Sequence, residues 1–313
     1  MGYSPPRIKI EGETIPTLYS LIKAKFRSLT FQRGRDKFPH MHKTFQLDEI
    51  KTGKGAPLLI VAGPCVIEDQ STTREIAAFL KELTTRLELP LVFKASFDKA
   101  NRTSLRSYRG PGLEQGLDAL EAIRKELNIP VISDIHEIAQ IGPAAEVLDI
   151  LQIPAFLCRQ TDFLLAAART GKTLNIKKGQ FLAPWDVINI VEKIRSVSRQ
   201  RVFLTDRGTM FGYNNLVADF RAISIMQATG CPVIFDATHS VQLPGGAGQS
   251  SGGQREHAPT LAKAAVAAGA DGIFLEVHPE PDKALCDGPN SLPLSDLERL
   301  FTQLKAIRQA ITT

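Results

Sequence analysis

The sequence predicts a (β/α)8 barrel, on three observations. From residue 58 onward, eight short apolar runs alternate with longer segments whose apolar residues recur at intervals of three and four. Nearly every run gives way to a polar or charged residue, and a barrel gathers such positions at one mouth. The first run leads into Gly63-Pro64-Cys65 rather than the Gly-rich turn of a dinucleotide-binding sheet, which disfavours a doubly wound open sheet.

Taken in order, the first run (58–62) precedes Cys65, and the second (91–94) closes on Lys94. The third (131–133) is followed by Asp134 and His136, and the fourth (150–153) carries Gln152 near its end. The fifth (174–177) ends in Lys177-Lys178, and the sixth (202–205) leads to Asp206-Arg207. After the seventh (233–235) come Asp236 and His239, and the eighth (272–276) ends in Glu276, with His278 just beyond. Helical periodicity is expected over 71–87, 113–127, 184–197, 216–228 and 258–268, with 297–311 as the closing helix.

The segment KASFDKANRTS (94–104) is the most informative stretch of the chain. Lys94 lies inside the apolar strand end, where an isolated ammonium is costly unless an anion neutralises it. Lys94, Lys99, Arg102, Lys177 and Arg207 therefore form an expected anion-binding set for phosphate and carboxylate groups. A second set, Cys65, His239, Glu276 and Asp287, mixes sulfur, nitrogen and oxygen donors suited to a divalent transition metal. His136 and His278 stay open as substitute ligands, whereas Cys158, Cys231 and Cys286, beside apolar or turn residues, are read as structural. The run GGAGQSSGG (245–253) has the composition of a substrate loop or of a plain surface loop.

Bulk composition narrows the remaining classes. A chain of 313 residues with 43% hydrophobic content suffices for one large barrel, expected over 41–313. No apolar run reaches the roughly 18 residues that cross a bilayer, and no secretory apolar region opens the chain, so a cytoplasmic protein without membrane partners is expected. The four cysteines lack paired spacing and suit a reducing compartment. Residues 1–40 hold eight Lys and Arg against three Asp and Glu, which accounts for the whole formal charge of +5. They read as a basic, flexible extension, and the neutral remainder argues against nucleic acid as a partner.

These residues resemble the 3-deoxy-D-manno-octulosonate-8-phosphate synthase family. The resemblance rests on ordered motifs that include GPCVIED (63–69), KASFDKANRTS (94–104), SDIHE (133–137), QIPAFLCRQTD (152–162), NIKKGQF (175–181), DRGTMFGYNNLV (206–217), DATHSVQ (236–242) and EVHPEPDKALCDGPN (276–290). It implies a transferase that condenses phosphoenolpyruvate with arabinose 5-phosphate for lipopolysaccharide sugar synthesis. The related heptulosonate synthases use erythrose 4-phosphate and differ at the position of Asn101-Arg102. By the same resemblance, Lys94, Ser96, Lys99, Gln152, Lys177 and Arg207 surround phosphoenolpyruvate, while Asn101, Arg102 and Asp134 receive the sugar phosphate. Arg159 and Ser251 are implied to reach a neighbouring subunit's site in a homotetramer. Cys65, where metal-independent relatives carry asparagine, implies a divalent metal held with His239, Glu276 and Asp287. A Schiff-base aldolase using Lys94 or Lys177, and a non-catalytic phosphosugar sensor, are the competing readings.

Overall fold

The computed structural model describes residues 44–47, 50–102, 104–199, 201–245 and 252–312. The expected extension over 1–40 and Ser251 lie outside them. Eight parallel strands form the frame: β1 (Leu59–Gly63), β2 (Leu91–Lys94), β3 (Val131–Asp134), β4 (Ile150–Ile153), β5 (Thr173–Lys177), β6 (Val202–Asp206), β7 (Val233–Asp236) and β8 (Gly272–His278). Each pairs with its sequence neighbour, and β8 pairs with β1, so the sheet closes on itself as a (β/α)8 barrel. Strands β1 and β2 approach closely at one point. A Cβ on Gly63 would stand 1.9 Å from the Lys94 carbonyl oxygen, so only glycine lets the ends of β1 and β2 meet there.

Two apolar layers follow from the alternation of side chains along each strand. Leu59, Val61, Val92, Ile132, Ile150, Phe203, Ile234 and Phe274 fill the barrel interior. Their alternates, such as Ile60, Phe93, Leu151 and Phe235, face the surrounding helices. Those helices are α1 (Gln70–Arg86), α2 (Leu113–Leu127), α3 (Ile138–Val147), α4 (Thr161–Arg169), α5 (Val187–Arg195), α6 (Arg221–Gln227), α7 (Ala258–Ala267) and α8 (Leu297–Thr312). In α1 the Asp69 carboxylate caps the first turn by accepting from the Thr72 amide at 2.8 Å, and Ile76, Ala77, Leu80 and Leu83 bury one face.

Ahead of β1, a hairpin pairs Phe45–Leu47 with Ile50–Thr52, and Ile50 packs on the interior cluster. Arg308 of α8 ties this end down, donating to the carbonyls of Gly53, Ala56 and Ala270 at 2.9 to 3.2 Å.

Two expected helices change at their starts. Residues 184–186 form a separate 3-10 turn ahead of α5. The helix expected from 216 begins only at Arg221, because Leu216–Val217 pair antiparallel with Thr209–Met210. Gly212 and Asn214, both at positive φ, make the turn of that small hairpin, a cross-strand partnership that an apolar periodicity does not reveal.

Candidate active site and metal centre

The C-terminal ends of the strands converge on a cavity of about 230 Å³. Lys94, Lys99, Lys177 and Arg207 line it together with Asn101, Arg102, Asp134, Gln152, His239 and Asp287, whereas Cys65 and Glu276 of the expected metal set are buried and do not line it. Lys94, about 1% exposed, donates to the Cys65 carbonyl at 2.8 Å and to Glu276 Oε1 at 2.6 Å. Lys177 pairs with Asp236 and sits 3.3 Å over the Phe274 ring. Arg207 donates to Gln242 Oε1 at 2.7 Å.

Beneath these cations runs a polar ladder from strand to strand. Asp134 Oδ1 accepts from Ser96 Oγ at 3.1 Å and from Gln152 Nε2 at 2.7 Å. Gln152 Oε1 accepts from Asn175, and Asn175 Oδ1 accepts from Thr205 Oγ1 at 2.6 Å. Burial by itself would raise the Asp134 carboxyl, but Lys99, Lys94, His136 and Lys177 outweigh it and hold the pKa at about 2. Asp134 is therefore an acceptor at any physiological pH. Ser96 belongs to this ladder, fully buried below the cavity wall rather than in it.

The metal donors fall into two overlapping groups. Ligand atoms of His239, Glu276 and Asp287 all lie within 4.8 Å of one another, and so do those of Cys65, Cys286 and Asp287. Asp287, in the left-handed backbone region at φ 47°, is common to both. His239 Nδ1 contacts Asp236 Oδ2 at 2.8 Å, which leaves Nε2 facing Glu276 and Asp287 at 3.6 and 3.8 Å.

The donor set offers sulfur, nitrogen and oxygen atoms to a divalent ion, and the fit is clearest at Glu276. Glu276 Oε2 is buried without a hydrogen-bond partner among the described residues, although this carboxyl is ionised. Burial opposes that charge, but His239, Lys94 and Lys99 hold its pKa well below the usual carboxylate range. Burial, the neighbouring Cys286 thiol and the Glu276 charge push the Cys65 thiol up, so binding a dication through sulfur has to release a proton.

Cys286, expected from sequence to be structural, stands instead in one of the donor groups. Its sulfur lies 2.7 Å from that of Cys65, and it accepts from Arg102 Nη1 at 2.8 Å. Arg102 thus joins the anion set to the metal donors, being also 3.5 Å from Asp287 Oδ1. Among the described residues, neither His136 nor His278 enters a donor group. His136 lines the cavity near Asp134, and His278 faces Glu68 at 3.6 Å. Arg159 lies outside the cavity, in a separate groove with Glu137, Thr161 and Asp162. Asp236, Gln180 and Gln242 were not singled out from sequence as site residues; only the position of Asp236 at a strand end signalled it.

Fold and site together define a barrel enzyme for anionic, phosphorylated substrates. The chain belongs to the DAHP synthetase I family, which matches residues 31–313. It is 66% identical over 273 residues to the 2-dehydro-3-deoxyphosphooctonate aldolase of Desulfosudis oleivorans, covering 87% of this chain and 98% of that one. Proteins of the same name from Desulfotalea psychrophila and Geobacter metallireducens are 59% and 60% identical. Those matches cover 84% and 85% of this chain and 94% and 98% of the relatives.

Proposed function

We propose that the protein condenses phosphoenolpyruvate with D-arabinose 5-phosphate and water, giving 3-deoxy-D-manno-octulosonate 8-phosphate and inorganic phosphate. The observation that carries this reading is the meeting of five cations with Asn101 in one barrel mouth, in a chain 66% identical to a 2-dehydro-3-deoxyphosphooctonate aldolase. The reading extends to a cytoplasmic homotetramer in which Arg159 and Ser251 serve a neighbouring subunit's site. The separate position of Arg159, away from its own cavity, supports that part.

Charge balance favours such a substrate. Lys94, Lys99, Arg102, Lys177 and Arg207 face Asp134, Asp236, Glu276 and Asp287, a local excess of one positive charge. A divalent ion held through the Cys65 thiolate raises the excess to two, which favours a polyanion such as a carboxylate joined to a phosphate monoester.

In the reaction, C3 of phosphoenolpyruvate forms the new bond to the aldehyde carbon, whose oxygen takes up a proton and becomes a hydroxyl. Water adds at C2, and the resulting tetrahedral centre expels phosphate by breaking its C–O bond. Lys94, Lys177 and Arg207 hold the phosphoenolpyruvate anions, while Lys99 stands by the developing charge between the substrates. Asn101 and Arg102 hold the sugar phosphate, Asp134 accepts from and orients its hydroxyls, and Gln152 joins the residues around phosphoenolpyruvate. Cys65, His239, Glu276 and Asp287 would hold a zinc-, iron- or manganese-like ion, which when bound supplies Lewis-acid polarisation of an oxygen. Asp236 keeps His239 Nε2 turned toward that position.

Phosphate release across a panel of aldose phosphates tests the reading. Efficiency with arabinose 5-phosphate should exceed that with erythrose 4-phosphate by at least about a hundredfold, because the shorter sugar leaves polar groups of the site unpaired. Equal efficiency would assign the heptulosonate activity instead.

A pH dependence follows from Lys177. Burial pulls its pKa down to about 8, with Lys94 and Arg207 adding to the effect and Asp236 opposing it. The ammonium that receives phosphoenolpyruvate is lost as pH rises through that value, so kcat/KM for this substrate should fall above about pH 8 while saturating substrate protects kcat. Lys177→Arg should move the fall to higher pH. A profile flat to pH 10 in the native enzyme would remove Lys177 from anion binding.

A further inference from the structure

Lys178 directly follows Lys177 at the end of β5, and no step of the proposed reaction uses it. Its side chain is about 1% exposed and, unlike Lys177, does not line the cavity, as the alternation of side chains requires. The same alternation at the end of β6 turns Arg207 into the cavity and Asp206 toward Lys178, 3.2 Å from its ammonium. That ammonium also lies 3.4 Å from the Gly208 carbonyl and 3.2 Å from Thr209 Oγ1. It therefore grips the residue before Arg207 and the two after it. On the other side it reaches the carbonyls of Gly179 and Leu182, each at 3.3 Å, which bracket the cavity-lining Gln180. The Met210 amide, donating to the Gln180 carbonyl at 3.0 Å, joins the two turns.

A packed apolar pair would join β5 and β6 at lower desolvation cost than a buried ion pair. What an apolar pair cannot do is hold the backbone on both sides of Arg207. We propose that Lys178 is a positioning residue that fixes the direction of the Arg207 guanidinium and thereby sets the affinity for the anionic three-carbon substrate. This rests on the reading of the mouth as a phosphoenolpyruvate site.

The test is phosphate release, measured against each substrate in turn, for the native protein, Lys178→Met, Arg207→Lys and the double variant. Lys178→Met should raise KM for phosphoenolpyruvate at least about tenfold, with KM for the aldose phosphate and kcat changed less than about threefold. The double variant should be no worse than the weaker single variant, since both changes act through one group. Equal rises for both substrates, a loss confined to kcat, or additive losses would overturn the inference. Lys178→Met/Asp206→Asn leaves no buried unpaired charge; should the single variant fail to fold, the same split in KM is expected of it and its absence is equally decisive. A native protein that releases no phosphate from the two substrates would overturn the functional reading and this inference with it.

Discussion

Replacing Cys65 by Ala should lower turnover about a thousandfold, the scale of several kcal/mol that a bound divalent ion contributes to an enzymatic barrier. The same variant should lose high-affinity metal binding in a calorimetric titration. The reason lies in the geometry: the Cys65 sulfur stands with Asp287 in one donor group, and Asp287 shares the other with His239 and Glu276. Because burial keeps Cys65 a neutral thiol in the metal-free protein, metal uptake by the native enzyme should release a proton that the variant does not release. Cys65→Asn is the sharper exchange. Its resemblance to the metal-independent relatives leads us to expect partial activity without metal, whereas an ordinary core cysteine would show only a packing defect. Full turnover in chelator-stripped native enzyme would end the metal reading.

Lys94→Met is expected to abolish turnover and to cost about 3–5 kcal/mol of stability, the usual result of leaving one partner of a buried ion pair behind. Glu276 is fully buried, and Lys94 at 2.6 Å is its nearest cation. The sign of the pH dependence follows from Glu276. Its folded pKa lies well below the unfolded value, so its contribution is fully present above that unfolded value and fades as pH falls toward the folded one. Native and variant proteins should therefore differ most near neutral pH and converge in acid, as followed by denaturant unfolding of the metal-free forms. Removing the exposed Arg86–Glu298 pair is the control and should leave the unfolding midpoint in place. A Lys94→Met protein as stable as the native one would mean that the Glu276 charge is not held by this lysine.

Much of this site was legible because a barrel converts sequence position into spatial position. Each strand end is also a point near the mouth, so counting runs brings Lys94, Lys177, Arg207 and His239 to the cavity and Glu276 beside Lys94, without any contact information. What escaped was pairwise. Cys286 lies 221 residues from Cys65, and nothing in its turn-like neighbourhood marks it as that sulfur's partner. Asp236 was visible as a strand end, but its grip on both Lys177 and His239 is a cross-strand fact. The small hairpin of residues 209–217 depends on the positive φ of Gly212 and Asn214, which local periodicity counted instead as the start of a helix. Helix α3 contains Gly142 and Pro143, both breakers in a local reading, and holds through burial of Ile141 and Ala144.

The most direct test of the central claim uses phosphoenolpyruvate carrying 18O at the oxygen that bridges carbon and phosphorus, incubated with arabinose 5-phosphate and the metal-loaded enzyme and followed by 31P NMR. Attack of C3 on the aldehyde and expulsion of phosphate from C2 predict inorganic phosphate that retains the 18O, formed one for one with a new sugar phosphate monoester. Unlabelled phosphate would place the cleavage at phosphorus, and the absence of a new monoester would mean that the two substrates are not joined; either result would contradict the account.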